Sequence, residues 1–158
     1  NVARNAYKLK KMVEESGGYI NFTDEELFFA AFHHDLGKLG DGKEPYYLPQ
    51  ESEWHQKNKK EYFTHNPKLQ YFDVTDRAFW LLNQYGIKYT QKEQLGIHMA
   101  DGLYNDATKK YFISYNEDFQ VKTDLPYIIH WADHMSTRLE NSEYRKSTGM
   151  YDKISENF

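Results

Sequence analysis

The chain has 158 residues, a formal charge of −4, no cysteine and an aromatic content of 17%. This length suits one domain with a substantial core, and we expect a single domain over residues 1–158. The negative charge argues against a protein that coats duplex DNA, and the lack of cysteine excludes disulfides and thiolate metal sites, which leaves histidine and carboxylate for any metal ion.

We expect neither a membrane span nor a targeting segment from this sequence. No apolar stretch approaches the length that crosses a bilayer, and the first residues do not form a basic segment followed by an apolar signal core. We therefore expect a cytoplasmic protein with no membrane partner.

Two helices are predicted in the first forty residues. Apolar residues at helical spacing start near Val2, and the first helix should end at Gly17. Residues 23–26 have the Thr-x-x-Glu form of a capping box, which predicts that a second helix begins there and runs to His34. Gly37 and Gly40, which follow His34, should end this second helix.

The segment from Gly40 to about Pro67 lacks helical periodicity and contains many aromatic residues. We predict a long, ordered, aromatic-rich loop beside the functional site, with the role of a substrate lid. Its residues Tyr47 and Trp54, with the lysines in 57–60, could bind a nucleotide base and steer its phosphate. The alternative is that these rings hold the loop against its own domain.

Three more helices are predicted in the rest of the chain. The third covers about 73–86, the fourth opens with a capping box and covers about 90–101, and the fifth covers about 127–141 after an aspartate and a proline. With no strand pattern and no internal repeat, the sequence predicts an all-α fold.

The most informative motif is the pair His34-Asp35, followed at once by Leu36-Gly37-Lys38. It places two metal ligands and a cation at one helix terminus. An imidazole nitrogen and a carboxylate oxygen suit a divalent ion, and such an ion can convert water into a nucleophile near neutral pH. A histidine at a helix end can instead simply cap carbonyls.

A second motif, His130-Trp131-Ala132-Asp133, lies on the fifth predicted helix. Together the two motifs resemble the HD phosphohydrolase superfamily, over about residues 2–140. The resemblance implies an HD-type helical bundle whose catalytic divalent ion (Mn, Mg, Co, Ni, Fe or Zn) is held by His34, Asp35 and Asp133. It also implies that Lys38 faces the phosphate and that Arg138 has a structural or substrate-binding role.

Further site residues follow from the same resemblance. His65 and His98 are candidates for a second metal ion or a proton donor, and an unligated histidine is the alternative for each. Some relatives have His-Asp-Gly where this chain has Ala-Asp-Gly, so Asp101 is a better candidate than His98, as a base or a water-orienting group. The family's first metal-binding histidine should lie on the first helix, yet no histidine precedes His33, and we expect that ligand before residue 1.

Three functions remain open from sequence. The first is a metal-dependent phosphohydrolase acting on a nucleotide, a (deoxy)nucleoside phosphate or a similar small phosphate ester. The second is a phosphodiesterase acting on cyclic dinucleotides or short oligonucleotides, for which the lysines of 57–60 are the hint. The third is a non-catalytic nucleotide-binding module of the same fold. The family analogy also allows a homodimer.

Overall fold

A computed structural model describes residues 1–148, and this part of the chain is predominantly helical. This confirms the all-α expectation at the level of secondary structure. Six α-helices are present in it: α1 (Val2–Glu15), α2 (Asp24–His33), α3 (Val74–Gln84), α4 (Gln91–His98), α5 (Asp106–Ile113) and α6 (Leu125–Ser147). The remaining elements are short: strands β1 (Tyr47–Pro49) and β2 (Phe63–His65), a π-helix (His55–Lys59) and the 3-10 helices Leu36–Leu39, Gly102–Tyr104 and Glu117–Phe119.

The chain divides into two compact units. The first unit contains Asn1–Ala31 and the described residues 91–148, and the second contains Phe32–Thr90. The expectation of one domain stays a prediction. None of the helices in the described part of the chain has both the length and the apolar character needed to cross a membrane.

Helix α6 is the central element of the first unit, because both α1 and α4 pack against it. Gly96 of α4 allows a close approach, since a Cβ atom there would lie 2.8 Å from the Cβ of Ala30 and 3.2 Å from Cγ of Leu125. Gly96 of α4 and Ala30 of α2 therefore let α4 pack closely against α2 and α6, and these helices bury a common apolar interior. The interior is formed by Ala6, Leu27, Ala30, Ile97, Met99, Leu125, Ile128, Ile129 and Ala132.

The start of α2 forms as the sequence predicts. The Thr23 hydroxyl accepts a hydrogen bond from the Glu26 amide (3.2 Å), and the Glu26 carboxylate accepts one from the Thr23 amide (3.0 Å). Two amide groups that would otherwise lack partners at a helix start are satisfied in this way. The helix ends at His33, one residue earlier than predicted and before the glycines.

Helix α3 supports the second unit. Its buried face carries Ala78, Leu81 and Leu82, and the short turn Leu36–Leu39 packs against its first residues. Gly37 makes this contact: a Cβ atom there would lie 2.0 Å from the carbonyl oxygen of Val74. The turn that follows the His-Asp pair is thereby held against a helix.

The prediction of a loop over 40–67 is wrong in detail, because this segment contains a β-hairpin. Strands β1 and β2 pair antiparallel, with Tyr47 opposite His65 and Pro49 opposite Phe63. Asn66 closes the open end, since its amide N–H donates to the Tyr46 carbonyl (2.9 Å). Strands of three residues are too short for an alternating pattern to stand out in sequence, which explains the missed prediction.

Candidate functional site

The His-Asp pair is placed by the end of one helix and the start of a tighter turn. Helix α2 ends at His33, and Asp35 is the residue from which the 3-10 turn Leu36–Leu39 begins. Because this turn is packed against α3, His34 and Asp35 are fixed on both sides by regular structure. The apolar run of α2 supplies the helix, and Gly37 permits the tight packing.

The three residues of the motif lie together. Nε2 of His34 is 3.6 Å from Oδ2 of Asp35, and the Lys38 ammonium donates a hydrogen bond to the same oxygen at 2.7 Å. His34 is buried, with 8% of its surface exposed, whereas 43% of the Asp35 side chain is exposed. The motif therefore has a fixed imidazole at its base and a carboxylate that solvent and ligands can reach.

The charged groups that follow the motif are held by local bonds. The Asp41 carboxylate accepts hydrogen bonds from the amides of Glu44 (2.8 Å) and Lys43 (2.9 Å), and these bonds lower the pKa of Asp41. The charge of Arg77 acts in the same direction but less strongly. Asp41 thus stays ionised at neutral pH and fixes the bend after the motif.

His65 lies at the end of β2, within the second unit. Its ring meets the Tyr46 ring edge to face at 4.9 Å, and the Arg77 guanidinium lies over the same Tyr46 ring at 5.8 Å. Nε2 of His65 is buried and has no hydrogen-bond partner among residues 1–148. The role of His65 as a second metal ligand or proton donor stays a prediction.

Tyr47 and Trp54, the predicted substrate-binding rings, also belong to the second unit. Tyr47 is 47% exposed on β1, and Trp54 is 58% exposed immediately before the π-helix. Each ring also contacts its own unit, since Tyr47 meets the Tyr46 ring edge to face at 4.7 Å and Trp54 meets the His55 ring at 5.1 Å. Substrate binding by Tyr47 and Trp54 therefore stays a prediction, and so does the alternative that they hold the segment in place.

The other predicted site residues belong to the first unit. His98 is the exposed last residue of α4, and Asp101 is exposed just before the turn Gly102–Tyr104. Asp133 is half-buried on α6, and Arg138 is exposed one turn later on the same helix. The structure therefore brings His34, Asp35 and Lys38 together, and the addition of Asp133 to them stays a prediction.

Sequence reasoning missed a cluster in the first unit. His130 is 2% exposed, and its Nδ1 lies 2.8 Å from the Ala100 carbonyl. The Tyr104 hydroxyl lies 2.9 Å from Nδ1 of His134. Tyr104 lies in a short turn and its partner His134 is thirty residues away, so no pattern of spacing in the sequence predicts this contact.

The donor atoms at the motif suit one divalent ion. Two ligand atoms that each lie about 2.1 Å from an ion, at right or tetrahedral angles, are about 3.0–3.4 Å apart. The separation between His34 Nε2 and Asp35 Oδ2 is 3.6 Å, slightly longer than this range. Across residues 1–148, no group of three or more histidine, cysteine, aspartate or glutamate side chains is arranged to hold a metal.

Comparison of the chain with protein-family models, with curated proteins and with solved structures finds no match.

Proposed function

We propose that this chain is a metal-dependent phosphohydrolase of the HD type. Its substrate would be a nucleotide of the (deoxy)nucleoside phosphate class. The observation that carries the proposal is the cluster of His34, Asp35 and Lys38, in which an imidazole and a cation converge on one carboxylate oxygen. This combination of donors suits a divalent ion with a cationic group beside it.

His34 and Asp35 would hold the ion, and Asp133 is the third ligand that the resemblance implies. A bound divalent ion supplies a polarised phosphate and an activated water molecule. The buried His34 contributes an imidazole at a fixed position, and the exposed Asp35 contributes a carboxylate where a substrate can approach. Lys38, displaced from Asp35 by the ion, would stabilise the phosphate oxygens of the substrate.

The proposal is tested by metal content and turnover in matched variants. Metal-loaded protein is incubated with a panel of nucleoside monophosphates and triphosphates, and bound metal is measured by elemental analysis. We expect His34→Ala and Asp35→Asn to lose the ion and at least about 100-fold in kcat/KM, since loss of a residue that only supports a metal ligand already costs about 10- to 100-fold. His33→Gln, which changes the neighbouring histidine, should retain both.

The role of Asp133 is measured in the same assay. Asp133→Asn should lower metal affinity by about 10- to 100-fold if the carboxylate is a ligand. Arg138→Gln, on the same helix, serves as the control for changes in α6 and should leave metal affinity unchanged. Turnover that is unchanged in Asp35→Asn, or metal that is retained in full by both His34→Ala and Asp35→Asn, would contradict the proposed function.

A further inference from the structure

Tyr104 carries a ring that is exposed to solvent and yet fixed by its neighbours. The residue is 72% exposed. Its hydroxyl lies 2.9 Å from Nδ1 of His134, and its ring stacks on the His134 ring, with the ring centres 5.6 Å apart and an angle of 28° between the planes. The ring of His130 also contacts it, with a distance of 5.7 Å between the ring centres. An exposed side chain normally changes rotamer freely, so these contacts identify a ring whose position is set before any ligand binds.

The residues that support Tyr104 are themselves fixed. His130 is 2% exposed, and its Nδ1 lies 2.8 Å from the Ala100 carbonyl oxygen. Gly102 packs directly on the His130 ring, because a Cβ atom there would lie 2.4 Å from Nδ1 of His130. The Gly102 carbonyl also accepts a hydrogen bond from the buried Thr108 hydroxyl at 2.9 Å. The turn Gly102–Tyr104 is therefore anchored to buried residues at its start and to α6 at its end.

Tyr104 is also bonded to both segments of the first unit that carry predicted site residues. Its amide donates to the Asp101 carbonyl (2.9 Å), and Asp101 is the predicted base or water-orienting group. Its hydroxyl partner His134 directly follows Asp133, the predicted third metal ligand, on α6. Because Tyr104 is one hydrogen bond away from each of these segments, a substrate of the size of a nucleotide at the two aspartates is long enough to reach its ring.

The part of Tyr104 that a ligand can use is the face of its ring. The hydroxyl is engaged with His134, whereas a ring that is 72% exposed keeps one face open. An open aromatic face binds planar groups by stacking, and the planar aromatic part of a nucleoside phosphate is its base. We propose that Tyr104 stacks on the base of the substrate and thereby makes a nucleoside phosphate a better substrate than a phosphate ester without a base. This inference rests on the proposed function and deepens it, because it assigns the residue that recognises the nucleoside.

The first test compares two substrates that differ only in the base, adenosine 5′-monophosphate and ribose 5-phosphate. Stacking tolerates every base, so adenine serves as a general probe. In metal-loaded protein, Tyr104→Leu should raise KM for adenosine 5′-monophosphate by about 5- to 150-fold, the range that loss of one stacking ring produces, and leave kcat nearly unchanged. KM for ribose 5-phosphate should stay the same. An equal rise in KM for both substrates would overturn the proposal.

Two matched variants separate the ring of Tyr104 from its hydroxyl and from exposed tyrosines in general. Tyr104→Phe keeps the stacking face and loses the hydrogen bond to His134, so KM for adenosine 5′-monophosphate should stay within about 3-fold of that of the unchanged protein. Tyr115→Leu, at a tyrosine of the same unit that is 98% exposed, should leave KM for both substrates unchanged. A rise in KM in Tyr104→Phe or Tyr115→Leu as large as in Tyr104→Leu would contradict the role of the ring. Far-UV circular dichroism verifies that every variant is folded.

The second test measures binding without metal and without turnover. Equilibrium dialysis with radiolabelled adenosine in EDTA should show binding that Tyr104→Leu weakens by the same factor and that Asp35→Asn leaves unchanged. This result supports the base site even where no nucleotide is hydrolysed, so a failure of the hydrolase proposal remains distinguishable. Adenosine that does not bind, that binds independently of Tyr104, or whose binding is lost in Tyr47→Leu or Trp54→Leu instead would exclude Tyr104 as the residue that recognises the base.

Discussion

The ammonium of Lys38 lies 2.7 Å from Oδ2 of Asp35, the oxygen that also faces Nε2 of His34 at 3.6 Å. A metal ion held by His34 and Asp35 must therefore compete with Lys38 for that oxygen. The Lys38 and Asp35 side chains are 44% and 43% exposed, and an ion pair of this exposure contributes at most about 1 kcal/mol. The ion pair is thus weak enough for a divalent ion to displace.

We accordingly predict opposite effects of Lys38→Gln on metal binding and on turnover. Removal of the competing cation should tighten Mn²⁺ binding by about 2- to 5-fold, the equivalent of that ion-pair energy. Turnover of a nucleotide should fall, because the phosphate loses a cationic partner. Calorimetry and initial rates measure the two effects, and Lys43→Gln is the control. Weaker Mn²⁺ binding in Lys38→Gln would show that Asp35 does not hold the ion.

A second prediction concerns Gly102, which combines a positive φ of 47° with a crowded environment. A Cβ atom there would lie 2.4–2.6 Å from the ring of the buried His130, so Gly102→Ala must displace that ring from its contact with the Ala100 carbonyl. Gly86→Ala is the matched control, because its φ is 65° but no atom lies within 4 Å of the added methyl group.

Both alanines should cost about 1 kcal/mol for the left-handed backbone, and Gly102→Ala should cost about 1–3 kcal/mol more for the overlap. Urea unfolding at neutral pH measures the difference. Equal losses of unfolding free energy in the two variants would mean that His130 can move without cost.

Most helices could be predicted from the sequence, because the residues that start and end a helix lie next to it in the chain. The capping box of Thr23 and Glu26 forms as expected, and α3 begins and ends within about two residues of its predicted bounds, after Asp73 and before Gly86. These signals depend on residues within one turn of each other. The resemblance to a metal-binding motif likewise uses adjacent residues, which the structure places in contact at His34 and Asp35.

The features that were missed depend on contacts between distant residues or on rare backbone shapes. In the hairpin Tyr47 pairs with His65 and the Asn66 amide donates to the Tyr46 carbonyl, and nothing in the sequence near these residues indicates their partners. The π-helix ends at Lys60, whose backbone is left-handed, and the sequence has no glycine at this position to indicate such a conformation. The Tyr104–His134 pair joins a short turn to α6, so only the tertiary structure reveals it.

Helix α5 was also missed, and its start provides a third prediction. Asn105 is the N-cap: its side-chain oxygen accepts a hydrogen bond from the Ala107 amide at 2.9 Å. Since α5 has only eight residues, loss of the cap should destabilise it noticeably. Asn105→Ala should lower the unfolding free energy by about 1 kcal/mol and speed amide hydrogen exchange in α5, whereas Asn105→Asp should retain both. Unchanged exchange in Asn105→Ala would show that packing alone holds α5.

The last prediction concerns Lys10, the buried cation of α1, which is 7% exposed. Its ammonium donates to the Asp24 carboxylate and lies 3.6 Å from Glu14. The hydrogen bond to Asp24 raises the pKa of Lys10 above its ordinary value of 10.5, against the opposing effect of burial. Lys10→Met, which keeps the aliphatic stem, should cost about 1–2 kcal/mol at neutral pH, and the exposed Lys8→Met should cost little.

The sign of the pH dependence follows from the raised pKa of Lys10. The folded state holds the proton more tightly than the unfolded chain, so the stabilisation is complete below pH 10.5 and is lost as the pH rises through the higher folded-state pKa. The difference in unfolding free energy between the unchanged protein and Lys10→Met should therefore be constant from pH 7 to about 9.5 and shrink at higher pH. Urea unfolding across this range measures it. A difference that stayed constant to about pH 11.5 would show that Lys10 stabilises the fold through its stem and not through its charge.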